Sequence, residues 1–487
     1  MSVAAAARPR AASVVEARPL RNPDTASRQV MTRRGWWLVV LNFLIPGSAQ
    51  VLAGNRRLGR FGLGATLALW AALVIAALFL VLAPTQLSAI MLGAWLPPWL
   101  SLLRWVPLTL VQVALVGYVV LWIVLTIDTL RLVRLVRTGS LARFGIAGLS
   151  IALLVVAGSG AAWAAQTTGT VRDTLGAIFG SSAPVVPPQD GYYNILLLGA
   201  DSGEGRDSMR FDSISVVSVN ATTGAVTITG IPRDMPNFPF APGPMADKYP
   251  NGHEGYANAT CGWGSGINQL RTEVEVCQDG NKLYPDAVGN GSEPGIEATK
   301  DAAEGILGIT IPYYVFIDMH NFAALVDALG GVDITVEQRL PKGWGPTYPG
   351  EPADRWAIGW IEAGPQHMDG DTAQWYARSR YTTSDFDRMK RQRQLQEALL
   401  AQASPQAVLT NFQNVAAAST EFVKTDIPQA LVPTLMDLAL KAKEQQVATI
   451  ELTPEGGIDE FNPQWDKIRE IVQNQLHPPS PTPDPGS

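Results

Sequence analysis

Arginines in the C-terminal two thirds of the chain gather in a few short stretches, although this region is acidic overall. Planar guanidinium groups bind two phosphate oxygens at once, so such a concentration of arginine indicates a pocket for an anion. Arg388 and Gln392 stand four positions apart in a helical pattern, which places both on one helix face. Surface salt bridges are the alternative explanation for each arginine. The arginines concerned are Arg210, Arg233, Arg378, Arg380, Arg388, Arg391 and Arg393.

Two aspartates stand where neighbouring predicted strands end and begin. Asp201 ends the first strand, at the carboxyl edge where open α/β sheets place their ligands. Asp212 opens the next strand, near the same edge if the turn between them is tight. Two carboxylates among phosphate-binding arginines are what a Mg²⁺ site needs, because the phosphates complete its oxygen shell. Spacing alone leaves two alternatives open. One of the carboxylates could act as a base, or both aspartates could be turn formers or helix caps.

The charge of the chain divides it into two different parts. The protein has 487 residues, of which 47% are hydrophobic and 16% charged. Residues 1–166 hold fifteen Arg, no Lys and three acidic residues, whereas the remainder holds 22 basic and 40 acidic residues. The hydrophobic content excludes a largely disordered chain, and two cysteines exclude a disulfide-stapled miniprotein. The acidic C-terminal part argues against nucleic-acid binding, because it repels phosphate backbones.

The basic part contains segments long and apolar enough to cross a bilayer, which needs about 20 residues. Gly62–Ala83, Trp105–Ile127 and Phe144–Ala165 carry no charged residue and are predicted spans. Trp36–Ala53 and Leu87–Leu103 are interrupted by Pro or Gly, so for both segments the sequence leaves two alternatives open, a full span and a re-entrant loop. We therefore predict an all-α transmembrane region over 36–166 with three to five spans.

Arginine placement predicts the orientation of this region. The tail 1–35 carries seven Arg, and the loops 54–60 and 128–143 carry three and four, whereas 84–108 carries one. The basic segments are therefore expected on the cytoplasmic side. Everything after Ala165 is then expected outside the cell membrane, which makes the protein a multi-pass membrane protein with an extracellular domain.

The external part shows the pattern of an α/β domain with a central mixed sheet flanked by helices. Strands alternate with helices along residues 191–476, which is typical of layered α/β folds. Residues 167–190 are expected to be a linker, because they contain Thr, Gly, Ser and Pro, and 477–487 a disordered Pro-rich tail. The predicted strands are Tyr193–Leu198, Asp212–Val219, Ala225–Gly230, Tyr314–Ile317, Val332–Val336 and Val447–Leu452, and the helices Thr299–Leu307, Asn321–Leu329, Asp371–Tyr376, Phe386–Gln402 and Pro463–Gln475.

Cys261 and Cys277 both fall in a Gly-rich excursion of the external domain. In an oxidising compartment a disulfide is plausible, and it would staple this excursion. Free thiols or a zinc site are the alternatives; zinc is disfavoured because the chain has no CxxC and the nearest histidine is His253.

Six stretches and one lysine of the external domain form a recognisable series: NILLLGAD (194–201), RFDSI (210–214), TGIPRDM (229–235), Lys248 before a Gly-rich patch, FAALVDALGGVDITV (322–336), MDGDTAQWYARSR (368–380) and DFDRMKRQRQ (385–394). With this series the domain resembles the LytR-CpsA-Psr family. Each matching stretch is weak alone, but together they occur in the family's order over nearly the whole domain. The resemblance implies a membrane-tethered phosphotransferase that takes a glycopolymer from a polyprenyl-pyrophosphate carrier. It attaches the polymer through a phosphodiester to the six-position hydroxyl of N-acetylmuramic acid in peptidoglycan.

The resemblance also implies roles for individual residues. Asp201 and Asp212 match metal-linked acids, with Mg²⁺ as the cofactor, and Asp201 or Asp234 is our choice of base. The lipid tail is expected in an apolar groove between helices and sheet. Arg378 and Arg380 are assigned to catalysis, and the pyrophosphate pocket is expected to use Arg210, Arg233, Lys248, Arg378, Arg380, Asp385, Arg388 and Gln392.

The chain also departs from the family's pattern. Ser213 stands where Thr is commoner in the family, a change that keeps the hydroxyl. A near-copy of the R-x-D motif at 206–209 lacks the residue between Arg and Asp, so we assign the motif to Arg210 and Asp212. The Cys-bearing insertion and the several spans exceed the usual single anchor.

Two other functions remain open from the sequence. The same pocket with water as the acceptor is a polyprenyl-pyrophosphate hydrolase, and a domain that only binds is an envelope regulator or attenuator. The Ala-, Arg- and Pro-rich composition is typical of a high-GC actinobacterium, for which arabinogalactan is the expected cargo.

Overall fold

The computed structural model describes residues 20–93, 96, 100, 103–179, 183–200, 210–255, 266–402, 423–459 and 461–478. The chain forms two compact units. The first comprises Met1–Met91 and Trp105–Gly169, and the second comprises Leu92–Arg104 and Thr170–Ser487. The two units are described separately below.

The first unit is helical, as its apolar composition predicts. Three helices in the described part of the chain are long and apolar enough to cross a membrane: Arg56–Leu82, Val106–Arg137 and Ser140–Ile178. They cover the three segments that the sequence predicts as spans, except for the end residues Ala83 and Trp105. The helices of this unit are α1 (Arg28–Leu44), α2 (Ser48–Ala53), α3 (Arg56–Leu82), α4 (Pro84–Met91), α5 (Val106–Val133), followed by a 3₁₀ turn (Leu135–Arg137), and α6 (Ser140–Ile178), whose residues after Gly169 belong to the second unit.

The first apolar segment, Trp36–Ala53, is a helix, a turn and a second helix. Pro46 lacks a backbone donor, and Gly47 has a φ of 95°, so the helix is broken between α1 and α2. A Cβ on Gly47 would lie 2.4 Å from the Leu63 backbone nitrogen, so this turn packs directly on α3. Gln50 then donates to the Leu125 carbonyl of α5 at 2.8 Å, which satisfies a buried polar group.

The expected linker at 167–190 is wrong in its first part, because α6 continues to Ile178. Thr and Gly in this stretch favoured a linker, but the first proline is Pro184. Without a residue that removes a backbone donor, the helix that begins at Ser140 continues over 39 residues.

The second unit is built on a six-stranded mixed sheet, which confirms the predicted fold class. The strand order is β10-β3-β2-β1-β4-β9. β2 is antiparallel to β1 and β3, β4 is parallel to β1, β10 is parallel to β3, and β9 is antiparallel to β4. These strands are β1 (Tyr192–Ala200), β2 (Phe211–Asn220), β3 (Val226–Ile231), β4 (Tyr313–Asp318), β9 (Val423–Thr425) and β10 (Ala448–Glu451).

Two further pairs of strands lie outside the central sheet. β5 (Val332–Val336) pairs with β8 (Gly364–Met368), and β6 (Leu340–Lys342) pairs with β7 (Gly359–Ile361). In β5 buried and exposed residues alternate, which is the pattern of a strand that is covered on one face only.

Both faces of the central sheet are covered by helices. On one face Leu196 and Leu198 form a core with the helices Pro294–Leu307 and Trp465–Leu476. On the opposite face Leu197 and Val217 lie toward the helix Asp385–Gln402. The helices of this unit are α7 (Pro244–Lys248), α8 (Leu270–Thr272), α9 (Gly280–Leu283), α10 (Pro294–Leu307), α11 (Met319–Leu329), α12 (Ala353–Trp356), α13 (Gly370–Arg378), α14 (Asp385–Gln402), α15 (Val432–Ala442) and α16 (Trp465–Leu476), with short 3₁₀ or π turns at Ile267–Gln269, Glu273–Cys277, Val288–Asn290 and Gln429–Leu431.

Candidate active site

Arg233 is the centre of a charged cluster at the end of β3. In the antiparallel register Ile214 faces Ile231, so two residues further out Asp212 comes opposite Arg233. Arg233 Nη1 lies 2.5 Å from Asp212 Oδ1, and its Nη2 lies 3.4 Å from Asp385 Oδ1. Burial disfavours the charge of Arg233, but the surrounding carboxylates outweigh it and raise its pKa above the usual value. The sheet register therefore brings together residues that are far apart in sequence.

Asp385, the first residue of α14, joins two arginines. Its Oδ1 faces Arg233, and its Oδ2 accepts from Arg388 Nη2 at 3.0 Å, one turn along the same helix. Both oxygens are thus engaged by guanidinium groups. Asp385 therefore positions the two arginines rather than contacting a phosphate, which its charge would repel.

Arg388 is a buried guanidinium with an incomplete set of partners. Burial and the positive charges of Arg233 and Arg380 lower its pKa, and Asp385 and Asp212 oppose this only in part. Its Nε has no hydrogen-bond partner within the residues that the structure describes. A buried donor that lacks an acceptor costs folding energy, so this arrangement is typical of a site that is completed by an anion.

Asp234 differs from the other two carboxylates because it is open to solvent. Its side chain is 60% exposed, and its Oδ2 lies 3.4 Å from Arg233 Nε. Asn268 donates to Asp234 Oδ1 at 3.1 Å, and the Asn268 backbone nitrogen also donates to the Arg233 carbonyl. The sequence gives no motif for Asn268, and only the fold reveals its place beside Asp234.

Arg378 is the last residue of α13, and Arg380 lies two residues beyond it. The guanidinium of Arg378 lies 5.0 Å from the ring centre of Trp344 and 6.0 Å from that of Trp375. Arg380 lies 5.4 Å from the Tyr381 ring centre, and its charge is one of those that lower the pKa of Arg388. The two arginines are therefore held by aromatic rings.

Arg391 holds this segment in place rather than adding a free cation to the site. It is buried, its Nε donates to the Tyr376 carbonyl at 3.2 Å, and its Nη2 donates to the Ser379 carbonyl and to Thr383 Oγ1. These acceptors flank Arg378 and Arg380. The clustering of arginines in the sequence could not distinguish this structural role from anion binding.

A second buried arginine fixes α14 on the sheet. Arg393 is fully buried, its Nε lies 3.5 Å from Glu451 Oε1 on β10, and its Nη1 donates to Gln396 at 2.6 Å. Gly230 on β3 leaves the room for this pair, because a Cβ there would lie 2.7 Å from Glu451 Oε2. α14 is thus anchored to β3 and β10, and its N-terminal turn stands over Arg233.

An apolar cavity of about 310 Å³ lies between the sheet and α14. Leu197, Val217 and Leu399 contribute to its walls. Ser213 and Gln392 also line it; Ser213 follows Asp212, and Gln392 is one turn along the helix from Arg388. The cavity therefore adjoins the charged cluster, as a groove for a lipid tail requires.

The remaining predicted residues lie as follows. Arg210 is exposed and directly precedes β2. Lys248 ends α7, with Nζ 5.6 Å from the Tyr249 ring centre, and burial lowers its pKa although Glu273 opposes the shift. Cys277 is disulfide-bonded. Asp201 and Cys261 lie outside the described residues.

The described carboxylates of the cluster supply part of what a Mg²⁺ site needs. In the described ranges, no group of three or more His, Cys, Asp or Glu side chains is arranged to hold a metal. Mg²⁺ often binds through one or two carboxylates and the substrate's phosphates, so a full protein cage is not required. Asp212 fits this role better than Asp385, since both Asp385 oxygens face guanidinium groups.

A family model places the chain among known proteins. The LytR_cpsA_psr family model matches residues 165–237 and 271–476, more than half of the chain. The chain belongs to the LytR_cpsA_psr family. Asp212, Arg233, Asp234, Asp385 and Arg388 fall within the matched ranges, whereas Asn268 lies in the gap between them.

Curated relatives in this family carry transferase names. The polyisoprenyl-teichoic acid–peptidoglycan teichoic acid transferase TagU of Bacillus cereus (strain AH820) is 28% identical over 238 residues, which is 48% of this chain and 61% of the relative. The protein of that name from Halalkalibacterium halodurans is 29% identical over 238 residues, with the same coverage. The match therefore spans about three fifths of these relatives' length.

Solved structures of similar proteins were also found. The crystal structure of B. subtilis TagV has a TM-score of 0.38 and 22% identity, and the match covers 59% of this chain and 98% of that chain. The structure of TagT bound to LIIa-WTA has a TM-score of 0.37 and 19% identity, over 60% and 94% of the two chains.

Proposed function

We propose that this protein is a membrane-anchored phosphotransferase that moves a glycopolymer from a polyprenyl-pyrophosphate carrier to peptidoglycan. One observation carries the proposal. A cluster of buried and half-buried arginines, Arg233 and Arg388, adjoins an apolar cavity of about 310 Å³. A ligand that suits both parts has a diphosphate at one end and a hydrocarbon chain at the other. The transferase names of the curated relatives support this choice.

The arginines act on the donor by charge and position. Phosphoryl transfer depends mainly on holding the reacting groups in line and stabilising charge as it develops. Arg388, with its unmet Nε donor, and Arg233 would bind the diphosphate oxygens, and Asp385 keeps both guanidinium groups directed to one place. Arg378 and Arg380 would stabilise the charge on the leaving phosphate. Lys248 and Arg210 are proposed to add further positive charge for the donor's phosphates.

The transfer step uses the six-position hydroxyl of N-acetylmuramic acid as the nucleophile. Its oxygen forms a bond to the phosphorus next to the glycan, and the bond from that phosphorus to the bridging oxygen breaks. Polyprenyl phosphate leaves, and the product is a phosphodiester between glycan and peptidoglycan. The hydroxyl proton goes to a carboxylate. We assign Asp234 to this task, because it is the exposed carboxylate and can meet an acceptor that arrives from solvent.

Mg²⁺ fits the proposal as a counter-charge to the diphosphate. Asp212 would hold it together with the donor's phosphate oxygens, and Asp201 is the second carboxylate that the sequence suggests for it. When bound, the ion supplies additional neutralisation of the phosphate charge.

The membrane helices suit a lipid-linked donor. We propose that the protein is a multi-pass protein of the cell membrane, with its catalytic domain outside. The distribution of arginines in the N-terminal segments supports this orientation. Such an anchor keeps the site beside the lipid carrier while the wall acceptor approaches from the other side.

Reconstitution tests the proposal. The full chain in lipid vesicles is supplied with Mg²⁺, polyprenyl-pyrophosphate glycans of several kinds including arabinogalactan precursors, and a peptidoglycan acceptor. We expect glycan covalently linked to the acceptor, together with one polyprenyl phosphate per linkage. Release of phosphorylated glycan without linkage identifies a hydrolase instead. Donor binding without either product identifies a regulator and contradicts the proposal.

A further inference from the structure

A second feature lies beside Arg378, on the segment between β6 and β7. This segment carries Trp344 and Trp356 toward the exit of α13. The Trp344 ring meets the Trp375 ring edge-to-face at 5.3 Å, and the Trp356 ring meets the Tyr381 ring at 5.4 Å. We call these four aromatic side chains, Trp344, Trp356, Trp375 and Tyr381, the aromatic shelf.

The shelf is exposed although it is apolar. Trp344 is 71% exposed and Tyr381 45% exposed. Burying large aromatic rings lowers the free energy of the protein, so a cluster of rings that remains open to solvent is typical of a binding surface. The charged cluster of the proposed function does not use these rings as ligands of the phosphate.

The shelf is nevertheless a packed structure. Gly345 has a φ of +100°, and a Cβ on it would lie 2.2 Å from Tyr381 Cζ, so only glycine allows the backbone to rest on this ring. Arg355 donates to Tyr348 Oη at 3.1 Å within the same segment. The backbone next to Trp344 is therefore seated on the Tyr381 ring before any ligand arrives, which lowers the entropy cost of binding.

The position of the shelf indicates its ligand. The Arg378 guanidinium lies over one face of Trp344, at 5.0 Å from the ring centre. If Arg378 binds the diphosphate, the group attached to that diphosphate comes next to Trp344. In the proposed donor this group is a sugar. The C–H groups of a pyranose ring carry partial positive charge and suit the negative face of an aromatic ring.

We propose that the aromatic shelf, and Trp344 above all, binds the first sugar of the donor glycan. This inference rests on the proposed function and adds a specificity subsite to it. Pyranose rings occur in the peptidoglycan acceptor too, but the contact with Arg378 favours the sugar joined to the diphosphate. The shelf then selects glycosylated carriers over the bare lipid pyrophosphate, which lacks the sugar.

Two probes separate the sugar from the rest of the donor. Geranylgeranyl pyrophosphate carries lipid and diphosphate alone, and geranylgeranyl-pyrophosphoryl N-acetylglucosamine adds one sugar. Their dissociation constants are measured by calorimetry on the full chain in nanodiscs. For the wild type we expect about tenfold tighter binding of the glycosylated probe, since a well-placed aromatic contact contributes on the order of this factor.

The variants make the test specific to the ring. Trp344→Ala is expected to reduce the tenfold preference to about onefold, and Trp344→Phe to retain most of it. Ile358→Ala is the matched control, because Ile358 is 70% exposed in the same segment and has no ring. It should keep the full preference. The readout is the ratio of the two affinities. Any effect that Trp344 has through Arg378 changes the affinity for both probes equally, so it cancels in this ratio.

Three results overturn the inference. The wild type shows no preference for the glycosylated probe, Trp344→Ala keeps that preference, or a soluble peptidoglycan disaccharide competes at Trp344 while the donor sugar does not. If neither probe binds at all, the proposed function itself fails. If the bare probe binds tightly and the sugar adds nothing, only the assignment of the shelf fails.

Discussion

Replacing Arg388 by methionine should separate ligand binding from folding. In the folded protein, burial and the like charges of Arg233 and Arg380 lower the pKa of Arg388, so its charge is held at a cost. Methionine fills similar space without charge, and Asp385 keeps its contact with Arg233. Removing one partner of a buried ion pair costs about 3–5 kcal/mol when it leaves the other charge buried and alone. Asp385 is not left in that state, because its side chain is 35% exposed and it still faces Arg233. We therefore expect the free energy of unfolding to stay within about 1 kcal/mol or to rise.

The same substitution should weaken binding strongly. A hydrogen bond to a charged group contributes about 1.5–3 kcal/mol, which corresponds to roughly a 10- to 150-fold loss of affinity for geranylgeranyl pyrophosphate. Calorimetry on the full chain measures this affinity, and denaturant unfolding in detergent measures stability. Arg391→Met is the matched control on the same helix. Arg391 donates to backbone carbonyls and to Thr383, so its loss should cost about 2–3 kcal/mol of stability.

One pair of results refutes this reasoning. If Arg388→Met lowers the free energy of unfolding by about 3–5 kcal/mol and leaves the affinity unchanged, Arg388 is a structural ion-pair member. The cluster of guanidinium groups would then be no evidence for a phosphate-binding site.

Three further outcomes are expected. Gly230→Ala places a Cβ 2.7 Å from Glu451 Oε2 and should lower the free energy of unfolding by about 1–3 kcal/mol. Gly289→Ala is the control, because a Cβ there meets open space; in the same unfolding assay it should change the free energy of unfolding by less than about 0.5 kcal/mol. Val217→Trp fills the apolar cavity, so the affinity for geranylgeranyl pyrophosphate should fall at least tenfold while that for inorganic pyrophosphate stays unchanged; equal losses for both would contradict a lipid groove. Burial raises the pKa of the Glu304 carboxyl from 4.5 to about 7 in the folded protein. The free energy of unfolding should therefore be highest below pH 4.5 and fall by up to about 3 kcal/mol as the pH rises to about 7.5. Glu304→Gln should remove this part of the pH dependence.

The main strands and helices of the C-terminal unit could be predicted because their apolar patterns are strong. The continuous run at 193–198 and the alternating pattern of Val332–Val336 lie within a few residues of the observed strands. The three-residue strands β6, β7 and β9 could not be found, since so few residues carry no period and form only through tertiary pairing.

The candidate site was predictable in its residue types and less so in its division of labour. Sequence clustering selected Arg233, Arg388 and Arg391 alike, but only the fold shows that Arg391 binds carbonyls of its own segment. Similarly, Asp385 was expected to contact substrate, and its two oxygens instead face guanidinium groups. Which partner satisfies a charged side chain depends on contacts between distant segments, and local spacing does not encode these.

A structure of the full chain with geranylgeranyl pyrophosphate tests the central claim most directly. The account predicts the diphosphate within hydrogen-bond distance of Arg233 and Arg388, with Arg388 Nε as a donor, and the hydrocarbon chain in the cavity between the sheet and α14. A diphosphate bound elsewhere, with the cavity empty and Arg388 unchanged, would contradict it.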